Sequence, residues 1–292
     1  MTRTLISDTV LRRRRGRILH LTAVAVTVVV FAFVFLFPLY WMLTGAVKDP
    51  TELARATPTV IPESWNWDTF GTAWSELQIG KYFLNTAYYA VGGWFIQIAV
   101  DVCAAYALSR LRPWGGRVVL GAMLASLMLP ATALLIPAYM TVSDVPIFGV
   151  NLLNTPWALW LPAAANAFNI YLLKRFFDQI PSELLDAASI DGAGRLRILW
   201  SVVLPLSRPV LSVVSIFAVI GMWKDFLWPF LVLQDPDTQT LSVALSRLAN
   251  TSYITDSEMF AGLVIASVPM VVIFLVLQRQ ILAGLSAGGV KG

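Results

Sequence analysis

The chain has 292 residues, of which 58% are hydrophobic and 13% charged, with 21 Lys and Arg against 17 Asp and Glu. Counted with Gly and without Tyr, the apolar share is roughly 61%, against about 45–50% for soluble domains. A soluble fold of this length cannot hide so much apolar surface, and the same figures exclude disorder, a collagen-like repeat and a disulfide scaffold.

Six apolar stretches are long enough to cross a bilayer, near 18–44, 84–108, 118–140, 155–173, 210–233 and 259–277. The first follows a basic cluster, Arg12–Arg15 with Arg17. Its apolar run is too long for a signal segment and no small-residue cleavage site follows, so a retained helix is expected. With the N-terminus inside, inside segments hold 16 Lys and Arg and outside segments hold 4 (Lys48, Arg55, Lys81, Arg247). The expectation is an all-α polytopic membrane protein with six transmembrane helices and both termini cytoplasmic. The net charge of +4 is then an insertion signal rather than a nucleic-acid footprint, so no nucleic-acid partner is expected.

The side chains limit the chemistry. Cys103 is the one cysteine and His20 the one histidine. The chain by itself therefore has no HExxH metal motif and no Ser-His-Asp triad. It lacks a GxxxxGK[ST] phosphate loop, so ATP hydrolysis is not expected of it. No catalytic residue, metal site or bound cofactor is assigned.

Three connections separate the spans informatively. Residues 45–83 form an outside segment with Pro58, Pro62 and Trp65, Trp67 and Trp74, aromatics suited to the membrane interface. Residues 234–258 form a shorter outside loop, and residues 174–209 an inside segment. In that inside segment Ser182 after Pro181 is a helix-start signal, and Glu183 and Asp186 lie at the positive end of the helix dipole. Leu184, Leu185, Ala188 and Ser189 give it a short apolar face. Gly192 supplies a positive-φ stop. A second helical run, 195–203, is expected to end before Pro205. Physics alone leaves two uses open: an amphipathic connector on lipid headgroups, or a helix offered to a groove in another protein.

The loop resembles the permease motif of ATP-binding cassette importers, E-A-A-x3-G-x9-I-x-L-P. Here it reads Asp186-Ala187-Ala188, three residues, Gly192, nine residues, Val202, one residue, Leu204-Pro205, with Asp191-Gly192-Ala193 as the D-G-A core. Asp186 stands for Glu and Val202 for Ile. Further segments, including Ala104–Arg110, Ala167–Lys174, Trp223–Pro229 and Gly288–Gly292, are similar to the carbohydrate-uptake branch, most of all to the shorter permease of maltose-type importers. Lys224 occupies a position where that branch has Asn. The resemblance implies a type I importer permease fold in a bacterial or archaeal cell membrane. It implies residues 1–80 as N-terminus, first helix and outside segment, 81–280 as a five-helix core, and 281–292 as a cytoplasmic tail. It also implies a second, different permease, a dimer of ATPase subunits holding ATP and Mg²⁺, an extracytoplasmic sugar-binding protein and a sugar substrate. Coupling to the ATPase falls on Asp186, Ala187, Ala188, Asp191, Gly192, Ala193, Leu204 and Pro205. The same machinery carrying glycerol phosphate or a polyol is the alternative. An enzyme acting on lipid-linked sugar needs a carboxylate or metal cluster at one surface, and the outside acids have no such spacing. A secondary transporter needs no ATPase, which the complete motif argues against.

Polar residues inside the spans complete the reading. Asn85, Tyr89, Gly93, Gln97 and Asp101 recur every four residues and share one helix face, which faces the bundle rather than lipid. Helix-to-helix hydrogen bonding and sugar contact both suit that stripe. Lys224 and Asp225 point about 100° apart, so each needs a partner elsewhere, and Asp101 is a candidate for Lys224. Pro229 is expected to kink the fifth span. Gln97, Asp101, Trp223, Lys224 and Asp225 are the candidate substrate path.

Overall fold

A backbone surrounded by hydrocarbon must satisfy its own hydrogen bonds, and helices do so within one segment. The computed structural model describes residues 14–251 and 253–289, and among them it holds fifteen α-helices and no strand beyond one isolated bridge, Val145 to Val150. Of the basic cluster, Arg12 and Arg13 lie outside the described residues, as do 290–292 of the tail. Among the described residues three helices are long and apolar enough to cross a membrane: Arg15–Val47, Ile79–Leu111 and Asp256–Gln278. Two bent pairs, at 106° and 86°, add up to two more spans.

The chain divides into two units, Met1–Ala73 with Ser252–Ile265, and Trp74–Thr251 with Ala266–Gly292. In the first, α1 (Arg14–Val47) exposes most of its apolar length and becomes buried only from Thr44 to Lys48. There Gly45 allows a close approach, since a Cβ on it would lie 2.7 Å from the Phe260 ring. Lys48 is 1% exposed; its ammonium donates to the Thr59 carbonyl and lies 4.6 Å over the Trp41 ring. Glu52, in α2 (Pro50–Leu53), is also buried and accepts from Thr59 Oγ1 and from Glu63 N at 3.2 Å. The two buried charges thus meet at Thr59, whose carbonyl accepts from Lys48 and whose hydroxyl donates to Glu52, and they form no ion pair with each other.

Helix α3 (Asp68–Ser75) belongs to the first unit as far as Ala73; the second unit starts at Trp74 and is organised around α4 (Ile79–Tyr106), which continues as a π turn over Ala107–Leu111. Then come α5 (Gly116–Ser126), a 3₁₀ turn at Ala131–Leu134 and α6 (Leu135–Ser143). The segment expected as a fourth continuous span is two helices, α7 (Trp157–Ala163) and α8 (Ala167–Asp178), parted at Ala164–Asn166. After the loop come α12 (Arg208–Lys224) and α13 (Leu227–Val232). A 3₁₀ turn at Pro236–Thr238 leads to α14 (Leu241–Leu248), and the last helix among the described residues, α15 (Asp256–Gly289), belongs to this unit from Ala266 on. The 234–258 segment is therefore not a plain loop: Leu241, Val243, Ala244 and Leu245 are buried.

Glycine and indole chemistry set the packing on α4. A Cβ at Gly92 would fall 2.3 Å from the Trp160 ring, and one at Gly93 2.5 Å from Met222 Sδ. Small residues let neighbouring helices approach in lipid, where dispersion rather than water exclusion drives association. Pro162 in α7 has no N–H to offer the Ala158 carbonyl one turn back. Trp228 Nε1 donates to that carbonyl at 3.0 Å, and Trp160 Nε1 donates to Tyr89 O at 3.0 Å.

Candidate functional site

The loop between α8 and α12 folds as a helical hook. Its first helix, α9 (Ser182–Ile190), starts after Pro181, and Ser182 opens it without a side-chain capping bond. The proline's fixed φ, rather than the serine hydroxyl, sets the start. Gly192 ends it at φ +81, as its position in the motif suggests. Gly192 N donates to Ser189 O and Ala193 N to Ala188 O, both at 3.0 Å. This reciprocal pair satisfies the last carbonyls and reverses the chain, and only a residue at ease with positive φ completes it.

The buried side of α9 is narrower than its apolar residues suggest. Leu185, Ala188 and Ala193 rest against the core built from Val102, Tyr106, Ile170, Phe177, Ile198 and Val203. Leu184 is 46% exposed and Ile190 86% exposed, and Ser189 donates to its own Leu185 carbonyl at 2.8 Å. Glu183, Leu184, Asp186, Ala187, Ile190 and Asp191 thus form an outward face that mixes acidic and apolar groups. Past Gly192 comes α10 (Arg195–Ile198), then a π turn at Leu199–Val203 and α11 (Leu204–Leu206). Pro205 therefore does not end the run as expected. The π turn resets the ladder just ahead of it, so Pro205 falls in a first turn where its missing N–H leaves nothing unpaired. The bend comes at Ser207 instead and measures 86°. Leu204 packs against the core and Pro205 is exposed.

Five residues to which the sequence alone assigns no such role brace the hook. The Arg110 guanidinium donates to the carbonyls of Phe177 and Ile180, the latter at 2.5 Å, and so caps the end of α8. Ser109 Oγ donates to Asp178 Oδ1 at 2.7 Å, and Lys174 pairs with Asp178 at 2.7 Å. Tyr106 OH donates to Arg195 O at 3.2 Å. Burial pushes the Asp178 carboxyl up, but the hydrogen bonds from Lys174 and Ser109 outweigh it and hold the group below the usual carboxylate range. A signal was present: Tyr106, Ser109 and Arg110 lie in the Ala104–Arg110 segment, and Lys174 and Asp178 are spaced i,i+4.

The intramembrane candidates do not gather into one site. Asp101 is fully buried, and its Oδ1 accepts from Asn166 N at 2.9 Å across the gap between α7 and α8. Its Oδ2 has no hydrogen-bond partner among the described residues. The pairing of Asp101 with Lys224 is not formed: Lys224 is exposed and takes part in none of the ion pairs among the described residues. Asn85 donates to Asp237 O at 2.9 Å and Gln239 O at 3.0 Å, and Tyr89 OH to Thr238 O at 2.8 Å. Most of the polar stripe is therefore spent on structural hydrogen bonds. Gln97 is buried, and Trp223 Nε1 donates to Ala266 O at 3.1 Å.

Asp225 is the exception. The helix of the fifth segment breaks at Asp225–Phe226, not at Pro229. Pro229 sits in the first turn of α13, where its missing N–H costs little. The Asp225 carboxylate faces the backbone N–H groups of Phe226 and Trp228 at that break. It lines a cavity of 240 Å³ with Tyr89, Trp160, Met222, Trp228 and Thr240. A carboxylate beside three aromatic rings offers acceptors for hydroxyl donors together with flat apolar faces, the chemistry that complements a sugar ring.

The hook, the braced helix ends and the broken helices belong to a known architecture. The family model described as the inner membrane component of binding-protein-dependent transport systems matches residues 102–286. The chain belongs to that family. It is 32% identical over 257 residues to the diacetylchitobiose uptake system permease protein NgcG of Streptomyces coelicolor, covering 87% of this chain and 83% of the relative. It is 30% identical over 258 residues to the sn-glycerol-3-phosphate transport system permease protein UgpE of Yersinia pestis, covering 86% and 90%. A bacterial ABC transporter involved in the import of the acidic polysaccharide alginate aligns at a TM-score of 0.80 and 25% identity, over 91% of this chain and 98% of that one.

Proposed function

We propose that the chain is the permease subunit of an ATP-driven carbohydrate importer and that α9 is the element through which ATPase motion enters the membrane. The carrying observation is the outward face of α9, held rigidly by the Gly192 turn and by Arg110 at the end of α8. A helix that must transmit force cannot swivel on a loose tether, and both its ends are tied to the core. In this reading the chain spans the membrane six times, with both termini and the hook on the cytoplasmic side, as the 16-to-4 distribution of basic residues directs. The spans broken at 127–134, 164–166 and 225–226 count as one crossing each, which with the three continuous helices makes six.

The chain pairs with a second, different permease. ATP and Mg²⁺ are held by two partner ATPase subunits, one of which receives the outward face of α9 with Asp186, Ala187 and Asp191, while Gly192 sets the turn and Ala188 and Ala193 seat the helix on the core rather than meeting the ATPase. An extracytoplasmic binding protein delivers the sugar. ATP-driven closure of the ATPases moves the two permeases as rigid bodies between inward-facing and outward-facing states, and the ATPase's preference for one state supplies the energy difference. Within this chain the substrate path passes the cavity beside Asp225. Carbohydrate is the reading that the relatives and the aromatic cavity support. Glycerol phosphate is the second reading, favoured by the UgpE relationship. The test is native extraction: an ATPase and a second permease co-purifying with the chain, with ATP hydrolysis raised by a sugar-loaded binding protein, supports the proposal. A lone active protein sinks it.

A further inference from the structure

Where the π turn at Ala107–Leu111 ends, the chain makes a tight turn and opens a cavity of 1170 Å³, lined by Ser109, Arg112, Trp114, Arg117, Lys174 and Asp178 among others. Its charges do not cancel. Lys174 and Asp178 pair with each other. Arg112 uses Nε to hold Ser109 O at 3.2 Å, and neither Arg112 nor Arg117 forms an ion pair among the described residues. Arg112 is held at φ +46, which an arginine adopts at a cost, and the turn places its side chain on the cavity wall. Gly115 and Gly116, at the start of α5, also line the cavity, and no side chain caps that helix. The N–H groups of Gly116 and Val118 are taken by the carbonyls of Pro113 and Gly115, so the two guanidinium groups outside any ion pair are what the cavity offers to a phosphate.

What surrounds them selects the form of phosphate. Trp114 is fully exposed, and Val118 and Val119 on the first turns of α5 are 75% and 54% exposed. A free anion needs no such apolar border. A lipid needs all of it: cations for the headgroup, an indole at the interface and an apolar helix face for the acyl chains. We infer that this cavity binds the headgroup of an anionic phospholipid of the cytoplasmic leaflet, with Arg112 and Arg117 on the phosphate and Trp114 at the acyl boundary. The inference rests on the membrane orientation proposed above. Because Lys174 and Asp178 both line the cavity and brace the end of α8, a bound lipid would stiffen the base of the hook.

The experiment uses the full chain in its purified complex, titrated in nanodiscs with phosphatidylglycerol, phosphatidylcholine or inorganic phosphate, with bound lipid counted by native mass spectrometry. Wild type should retain phosphatidylglycerol over phosphatidylcholine. Replacing both arginines, Arg112→Gln with Arg117→Gln, should weaken that preference roughly 30-fold, the effect of two basic residues at an anionic leaflet. Unchanged retention in that variant overturns the site. Displacement of the lipid by inorganic phosphate at similar concentration overturns the lipid assignment. If the double variant does not assemble, Trp114→Ala, at a fully exposed position, should still lower retention severalfold, and no change there overturns the site as well. A Trp114→Cys probe in a Cys103→Ser chain separates this from the orientation: an impermeant maleimide should label it only from the cytoplasmic side. Labelling from outside overturns the orientation and the cytoplasmic-leaflet site with it.

Discussion

Ala193 donates its backbone N–H to the Ala188 carbonyl at 3.0 Å, closing the end of α9 around Gly192. That bond holds the proposed coupling helix at a fixed angle to the run that follows it. Nothing lies within 4 Å of a Cβ built on Gly192, so any cost of substitution there comes from the φ of +81 and not from crowding. Gly192→Asn should retain most uptake, since Asn tolerates that region. Gly192→Val should lose uptake by an order of magnitude or more while the protein still inserts. Uptake normalised to membrane-embedded protein checks this, and equal activity of the two variants would show that the turn is not what matters.

The bond from Trp228 to Ala158 makes a prediction about coupling between residues. Trp228→Phe leaves the buried Ala158 carbonyl without a donor and should cost about 1 kcal/mol of stability. Pro162→Ala supplies a backbone N–H one turn along. In that background the same Trp228→Phe change should cost measurably less. A double-mutant cycle on detergent-solubilised protein reads the difference, and strict additivity would contradict the assignment.

Asp178 gives a pH signature. Its folded-state pKa lies below the 3.8 of an ordinary Asp, so its contribution is present above that value and is lost as pH falls through the folded value. The stability gap between wild type and Asp178→Asn should be constant from neutral pH down to about 4 and narrow below it. Thermal midpoints of the two proteins across that range decide the matter. A gap that widens with acid would mean the charge is not favourably paired.

The cavity and the exposed lysine beside it separate transport from folding. Asp225→Asn should lower sugar uptake per assembled complex more than it lowers yield. Lys224→Met, with no ion pair to lose, should leave yield unchanged. If Lys224→Met instead reduces yield and leaves transport per complex intact, its role is structural.

Much of this was legible in the sequence because it rests on local rules. The apolar runs gave helices, Gly192 gave the turn, and the spacing of Asn85, Tyr89, Gly93, Gln97 and Asp101 gave a buried face. What was not legible depends on partners distant in the chain. Asp101 reaches Asn166 across the break between α7 and α8, so it had no need of Lys224. The π turn over Leu199–Val203 let the chain pass Pro205, where a propensity rule stops it. Asp225 faces free N–H groups that exist only because the helix breaks beside it, and periodicity carries no record of that break. In the sequence Tyr106, Ser109 and Arg110 stand out only as part of a segment similar to the family's. Their work, bracing the end of α8 and the start of α10, becomes visible once helices far apart in sequence pack together.

The central claim is that α9 carries the ATPase contact, and Ala187→Asp tests it most directly. Ala187 is small and exposed on the outward face, so a carboxylate there should not disturb the permease fold but should obstruct a closely fitting groove. The measurement is ATP hydrolysis by the purified, reconstituted complex with and without sugar-loaded binding protein. The expected result is a chain that inserts normally and loses the stimulated hydrolysis. Full stimulated hydrolysis and normal uptake from a correctly assembled Ala187→Asp complex would contradict the account.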